Sequence, residues 1–339
     1  MDQEGLREFR DELESELRDH ILSWWKTYVP DEEHGGFYGH ITHRNKAKKG
    51  AGKGAVMNAR ILWTFSAAYR MSPDPSYREM AQRAYDYILE HFLDTEFGGV
   101  YWELDHQGQV KSARKQIYAL AFAIYALSEF HMAFENPEAL DKAVSLYRDM
   151  ETHALDRVHR GYAEALSRSW KPVEDMRLSE KDDNVSKTMN THLHILEAYG
   201  NLYRAWKDPG LKQALENLIR LFLDKFVDGN THQLHLFFDE QWNLKSKLVS
   251  YGHDIECSWL LYEASEILGD KSLIRQSGEL AVQMARANRS GLDTDGGLFY
   301  EYFPEEDKLD TDKHCWPQAE ALVGYFNAYQ LSGDDEFLE

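Results

Sequence analysis

The stretches DEEHGGFYG at 31–39, DTEFGGVYW at 94–102, DRVHRGYAE at 156–164, DGNTHQLHLFF at 228–238 and DTDGGLFYE at 293–301 are five versions of one short turn. Each holds a glycine, is followed by an aromatic, and comes after a helical pair. Gly36 to Gly99 is 63 residues, Gly99 to Gly161 is 62, and Gly161 to Gly297 is 136, or two periods of 68. A period of this size marks repeated units that bury their apolar faces only against their neighbours. Between the turns the apolar residues keep helical spacing. Leu6, Phe9, Leu13, Leu17, Ile21, Leu22 and Trp25 recur at threes and fours, which predicts a helix over 5–28. Helical pairs are predicted at 57–71 and 76–93, 115–133 and 137–153, 187–206 and 209–226, and 252–268 and 271–288. A last pair starts at 316–331 and continues into 334–339. The breakers SPDPS, ENPE, KDPG, GDK and SGDD separate the members of each pair. Strands are expected only as small hairpins after the turns.

The fold class that follows is all-α. An (α/α)6 barrel toroid, with short β-hairpins at one end and its last helix or two missing, suits the alternation. An open solenoid has the same periodicity. The chain reads as a single domain over 1–339, with no linker-like stretch and only 8 prolines. Its 38 Lys+Arg against 58 Asp+Glu leave a net charge of −20, which repels phosphate backbones and argues against nucleic acid as a partner. The charged N-terminus is unlike a signal peptide. No stretch approaches the roughly 20 apolar residues of a membrane span. Two cysteines, Cys257 and Cys315, make no disulfide framework, so a cytoplasmic location is expected.

The helix that follows each turn carries polar residues in its first turns, where a core helix would prefer leucine. They are Asn58 and Arg60; Tyr118; Asn190, His192 and His194; His253, Asp254 and Glu256; and Trp316, Gln318 and Glu320. If every such helix enters from the same end, these groups converge on one opening, the pattern of a binding or catalytic site. His192 and His194 project about 200° apart on a helix and cannot share a metal. His253 and Glu256 lie three apart on one face, as a base and its orienting carboxylate would. No phosphate loop, nucleotide fingerprint or zinc spacing is present, so no cofactor and no metal is expected.

KTMNTHLHILEAYGNLYR at 187–204, SYGHDIECSWLL at 250–261, WPQAEALVGYFNAYQ at 316–330, GAVMNARILWTFSAAYR at 54–70 and EFGGVYWELDHQG at 96–108 resemble signature segments of the bacterial cellobiose 2-epimerases, within the N-acylglucosamine 2-epimerase superfamily. The resemblance runs over essentially the whole chain. It implies an (α/α)6 barrel and an isomerase that inverts C2 of the reducing-end glucose of cellobiose or other β-1,4 disaccharides. In that scheme the sugar opens, a histidine removes the C2 proton, and an enediolate is reprotonated on the other face. The resemblance assigns His253 as acid/base, supported by Glu256, and His194 to ring opening or proton transfer. Arg60, Tyr118, Asp182 and Asn190 would hold hydroxyls, Trp259 and Trp316 would stack on the rings, and Glu320 would bind or orient. The partner implied is a small carbohydrate. The sequence departs from the family at Cys315, where a second Trp is common, and at Gln116 and Leu120, where His and Gln are usual.

Six turns are expected of such a barrel and five are present. The chain therefore reads as a fragment of an open frame on the order of 400 residues or as a natural truncation. It is expected to expose apolar faces, to associate, and to epimerise poorly. His314 is a candidate stand-in for the absent second base, although its place before the helix favours a surface or packing role. Three functions stay open: a 2-epimerase acting on cellobiose, mannose or another N-acylglucosamine 2-epimerase substrate; an (α/α)6 glycoside hydrolase using Glu256 and Glu320; and a non-catalytic sugar-binding protein.

Overall fold

The structure, a computed structural model, describes residues 3–179 and 183–338. Helix α1 runs over Gln3–Ser15, passes a π-helical segment at Glu16–Leu22 and resumes over Ser23–Tyr28. Four pairs follow: α2 (Ala55–Met71) with α3 (Pro75–Tyr87), α4 (Ile117–Phe134) with α5 (Pro137–His153), α6 (Met189–Ala205) with α7 (Pro209–Leu221), and α8 (Tyr251–Leu268) with α9 (Lys271–Asn288). Helix α10 is Cys315–Ser332. The helix begun at 334–339 in the sequence reading is a single 3₁₀ turn at Asp335–Phe337.

The breakers work as caps. Asp74, Asn136, Asp208 and Asp270 each accept a hydrogen bond from a backbone N–H in the first turn of the helix that follows. Three of those helices open with proline, whose missing N–H would be unpaired there anyway. The strands are two or three residues long. Lys53–Gly54, Lys115–Gln116, Lys187–Thr188 and Val249–Ser250 each precede one of α2, α4, α6 and α8. Each pairs antiparallel with a strand that follows the next turn along the chain, which stitches successive repeats together.

The chain forms two compact units. One is Met1–Ala154 with Ala165–Glu174, and the other is Leu155–Glu164 with Asp175–Glu339. In the first, α2 and α4 pack side by side, with α3 and α5 each against its own partner. Helix α4 is apolar and long enough to cross a membrane by composition, contrary to the sequence reading. It is a core helix instead, with Leu120, Ile124 and Leu127 fully buried. In the second unit, α8 packs against α6 and α10, with α7 and α9 beside them. On α10, Leu322 and Val323 are about half exposed, at 52% and 47%.

The turns share one lock that the sequence reading did not contain. The aspartate that opens each of the first four turns accepts N–H bonds from residues two and three further on, as Asp31 does from Glu33 and His34, and Asp156 from Val158 and His159. The same carboxylate meets a lysine two residues before the next helix. Lys53 reaches Asp31 at 2.8 Å, Lys115 reaches Asp94 at 2.8 Å, and Lys187 reaches Asp156 at 2.7 Å. These three lysines are 1%, 0% and 2% exposed. Burial opposes the charge on Asp94, yet Arg168 and Lys115 hold its carboxyl below the ordinary carboxylate range. In the fifth turn Lys313 meets Asp293 and Asp295 near the surface. In the fourth, the position belongs to Val249, and Asp228 faces His235 at 3.4 Å.

Removing one partner of a buried ion pair leaves an uncompensated charge, which costs about 3–5 kcal/mol, whereas a surface pair is worth about 1 kcal/mol or less. Lys115→Met is therefore expected to lower the urea unfolding free energy by about 3 kcal/mol. Lys313→Met should lower it by no more than about 1 kcal/mol. Equal losses would mean that burial of the pair is not what holds the turn.

Candidate functional site

The second, fourth and sixth residues of α2, α4, α6, α8 and α10 have distinct fates. In α6, α8 and α10 the fourth-position side chain turns back to the preceding turn. His192 Nε2 accepts from Tyr162 N at 2.9 Å, Asp254 Oδ1 from Leu234 N at 2.8 Å, and Gln318 Oε1 from Leu298 N at 2.8 Å. His192, Asp254 and Gln318, like Asn58 bonded to Gly54 O, are thus structural groups rather than members of a convergent site. His192 is fully buried and also meets Thr188 O at 2.7 Å. Burial, with Lys187 nearby, pushes it down to about 4. Gly161 makes this joint possible: its φ is +77°, and a Cβ there would lie 2.8 Å from His192 Nε2.

Most of the candidate chemistry lies on second- and sixth-position residues, four apart and on one face, joined on α8 by His253 at the third position and Trp259 at the ninth. In the first unit Arg60 lies 3.4 Å from the Tyr118 hydroxyl, with its guanidinium 4.5 Å above the Phe122 ring. One turn on, Trp63 stacks on Tyr125 at 5.0 Å. In the second unit His194 Nδ1 is 3.0 Å from Glu197 Oε2, and its Nε2 is 3.9 Å from Glu256 Oε1 across from α8. Trp259 donates its indole N–H to Glu320 Oε2 at 2.9 Å, tying α8 to α10. Asn190 is half-buried, and its Oδ1 has no partner. Gly252 stands at the second position of α8, where a Cβ would come within 2.6 Å of the Trp316 ring. Without it the indole settles 4.8 Å from the His253 ring.

The pairing expected of His253 and Glu256 is corrected. The partner of His253 Nδ1 is the Ser250 hydroxyl at 2.8 Å, from the short strand before α8, while Glu256 faces His194. The tautomer that donates Nδ1–H to Ser250 Oγ is the one that leaves a lone pair on Nε2. Burial first, and the neighbouring His194 second, push His253 down to about 3. Asp182 lies outside the described residues. His314 is exposed at the start of α10, with its ring 4.1 Å from Tyr300. Sequence reasoning missed Ser250 and Glu197, although Glu197 stands three residues after His194, a spacing that could have revealed it. Among the described residues, Asp156, His159 and Glu240 present ligand atoms within 4.8 Å of one another. Lys187 Nζ, 2.7 Å from Asp156 Oδ2, already fills the cation's place there.

The chain is similar to known proteins over most of its length. The N-acylglucosamine 2-epimerase (GlcNAc 2-epimerase) family matches residues 36–339. The cellobiose 2-epimerase of Bacteroides fragilis is 52% identical over 325 residues, which are 96% of this chain and 83% of that protein. That of Ruminococcus albus is 39% identical over 328 residues, 97% of this chain and 83% of that protein. The solved structure of cellobiose 2-epimerase from Bacillus thermoamylovorans superposes with a TM-score of 0.92 at 39% identity, covering 98% of this chain and 84% of that one. The α/α architecture read from the period is the fold of these epimerases.

His192, which is buried, and His253, which is half-buried, are both held neutral and carry a sign for pH. Each folded value, about 4 for His192 and about 3 for His253, lies below the unfolded value of about 6.5, so the unfolded chain binds more protons in between. Stability should fall as pH drops from about 6.5 toward 4. Ring NMR of His253 in the folded protein should show no titration down to pH 5; a midpoint near 6.5 would contradict the depressed value described.

Proposed function

The chain belongs to the N-acylglucosamine 2-epimerase family and is a sugar-epimerising isomerase, and from that premise we propose that it inverts C2 of the reducing-end glucose of cellobiose and related β-1,4-linked disaccharides. The observation that carries the proposal is the pair of imidazoles on α6 and α8. His253 is neutral and oriented by Ser250, and in the tautomer that donates Nδ1–H to that hydroxyl its Nε2 is the base. His194 is fixed by Glu197 and lies close enough for its charge to act on His253.

An aldose must open to its aldehyde before its C2 hydrogen becomes acidic. Removal of that proton leaves an enediolate, and return of a proton to the other face completes the inversion. His253 is suited to the first transfer, because a base must be unprotonated at the working pH and within reach of its proton. His194 is suited to protonation at the anomeric oxygen or to the return step. The hydrogen-bonded Trp259–Glu320 pair and the Trp316 ring offer an indole face and a carboxylate, the groups that grip a pyranose. In the first unit, Arg60 and Tyr118 are donors suited to sugar hydroxyls in their own right.

Incubation with cellobiose in D₂O, read at C2 by NMR, tests the reading. Glucosyl-mannose should form with deuterium at C2, and His253→Asn should lower kcat by about 10²-fold or more. Full incorporation in the product marks two exchanging groups, whereas substantial internal return marks His253 acting on both faces. Free glucose as product, or an unchanged rate in His253→Asn, would rule the reading out.

A further inference from the structure

The first turn of α8 holds a buried acid that this mechanism does not use. Asp254, beside His253 in sequence, is 1% exposed. One of its carboxyl oxygens accepts from Leu234 N at 2.8 Å, and the other is buried with no partner. The same joint is made by His192 in the third repeat and Gln318 in the fifth, both neutral acceptors. The fourth turn is also the one without a lysine lock, since Val249 stands at that position. The bond from Leu234 to Asp254 is therefore the side-chain tie between this turn and the start of α8 that the ion pair supplies elsewhere.

We propose that Asp254 is a positioning residue, which fastens the fourth turn to α8 and thereby fixes the place of His253 and its Ser250 partner. The inference rests on the catalytic reading of His253. A dry carboxylate with one unpaired oxygen is unfavourable, so the group is held as the neutral acid. In agreement, burial pushes Asp254 up to about 8, opposed only by the Leu234 N–H. Its charge would act on Tyr251 and Cys257 of its own helix. Asp228 and His235, on the turn it faces, are paired with each other. No charged side chain among the described residues of α6, α7, α9 or α10 acts on its ionisation.

The folded value stands above the unfolded one, so the folded state binds the extra proton and stability declines as pH rises from about 4 to 8. Asp254→Asn keeps the acceptor and loses the titration. Its melting midpoint should gain on the wild type's steadily between pH 5 and 8, a readout that needs no catalysis. In C2 deuterium exchange, Asp254→Ala should lose at least tenfold in kcat with KM changed less than threefold, and Asp254→Asn should restore most of that loss. Wild-type kcat should fall above pH 8, while that of Asp254→Asn stays level. An Asp254→Ala kcat within twofold of wild type, identical pH profiles of wild type and Asp254→Asn, or parallel melting curves would each overturn the proposal. Absence of any epimerisation by the wild type, with the melting difference present, would instead count against the catalytic reading.

Discussion

A lysine ammonium buried against the aspartate of a turn is the constraint on which the repeats depend. Moving either charge out of water costs several kcal/mol, so the pair forms only in tight geometry with its remaining valences filled. Those demands are met when the turn, the two-residue strand that carries the lysine, and the helix after it hold one arrangement. In Lys53–Asp31, Lys115–Asp94 and Lys187–Asp156 the aspartate also ties down its own turn through backbone N–H groups. The first turn of each helix that follows such a pair is therefore tied to the turn before it, which supports the side chains that this helix presents.

The fourth repeat departs from this rule, and it is the repeat that carries His253. With Val249 in the lysine position, Asp228 is left to His235 and to backbone donors. The tie is made instead by the neutral carboxyl of Asp254, which has one oxygen unsatisfied. A weaker, titratable joint beneath the candidate base costs stability at neutral pH. Perturbed groups of this kind gather where chemistry is done.

The helical architecture is legible in the sequence because helix periodicity and turn spacing are local. Apolar residues at threes and fours must face a core, and a period of 62–68 residues marks repeated helical pairs that pack on their neighbours. The breakers were recognised as interruptions, and in the fold they are N-caps. The site was legible only in part. His194, His253, Trp259, Trp316 and Glu320 lie on α6, α8 and α10, and hydrogen bonds or ring contacts tie members of the set across those helices. His192, Asp254 and Gln318 appeared to belong with them, because residue type cannot tell an acceptor turned toward a backbone N–H from one left open to a ligand. The lysines passed unnoticed, since on composition a lysine reads as a solvated charge.

By itself the sequence determined the repeated helix–turn unit, the ends of its helices and the polar character of their first turns, all consequences of contacts between residues near in the chain. Tertiary structure alone decided that the carboxylate of Glu256 turns away from His253. Glu256, three residues from His253, faces His194 on the neighbouring helix, and the group that holds His253 comes from the strand before it. The reason is geometric: spacing along a helix places two side chains on one face, but a hydrogen bond also requires direction and a partner within 3 Å, and packing between helices sets both.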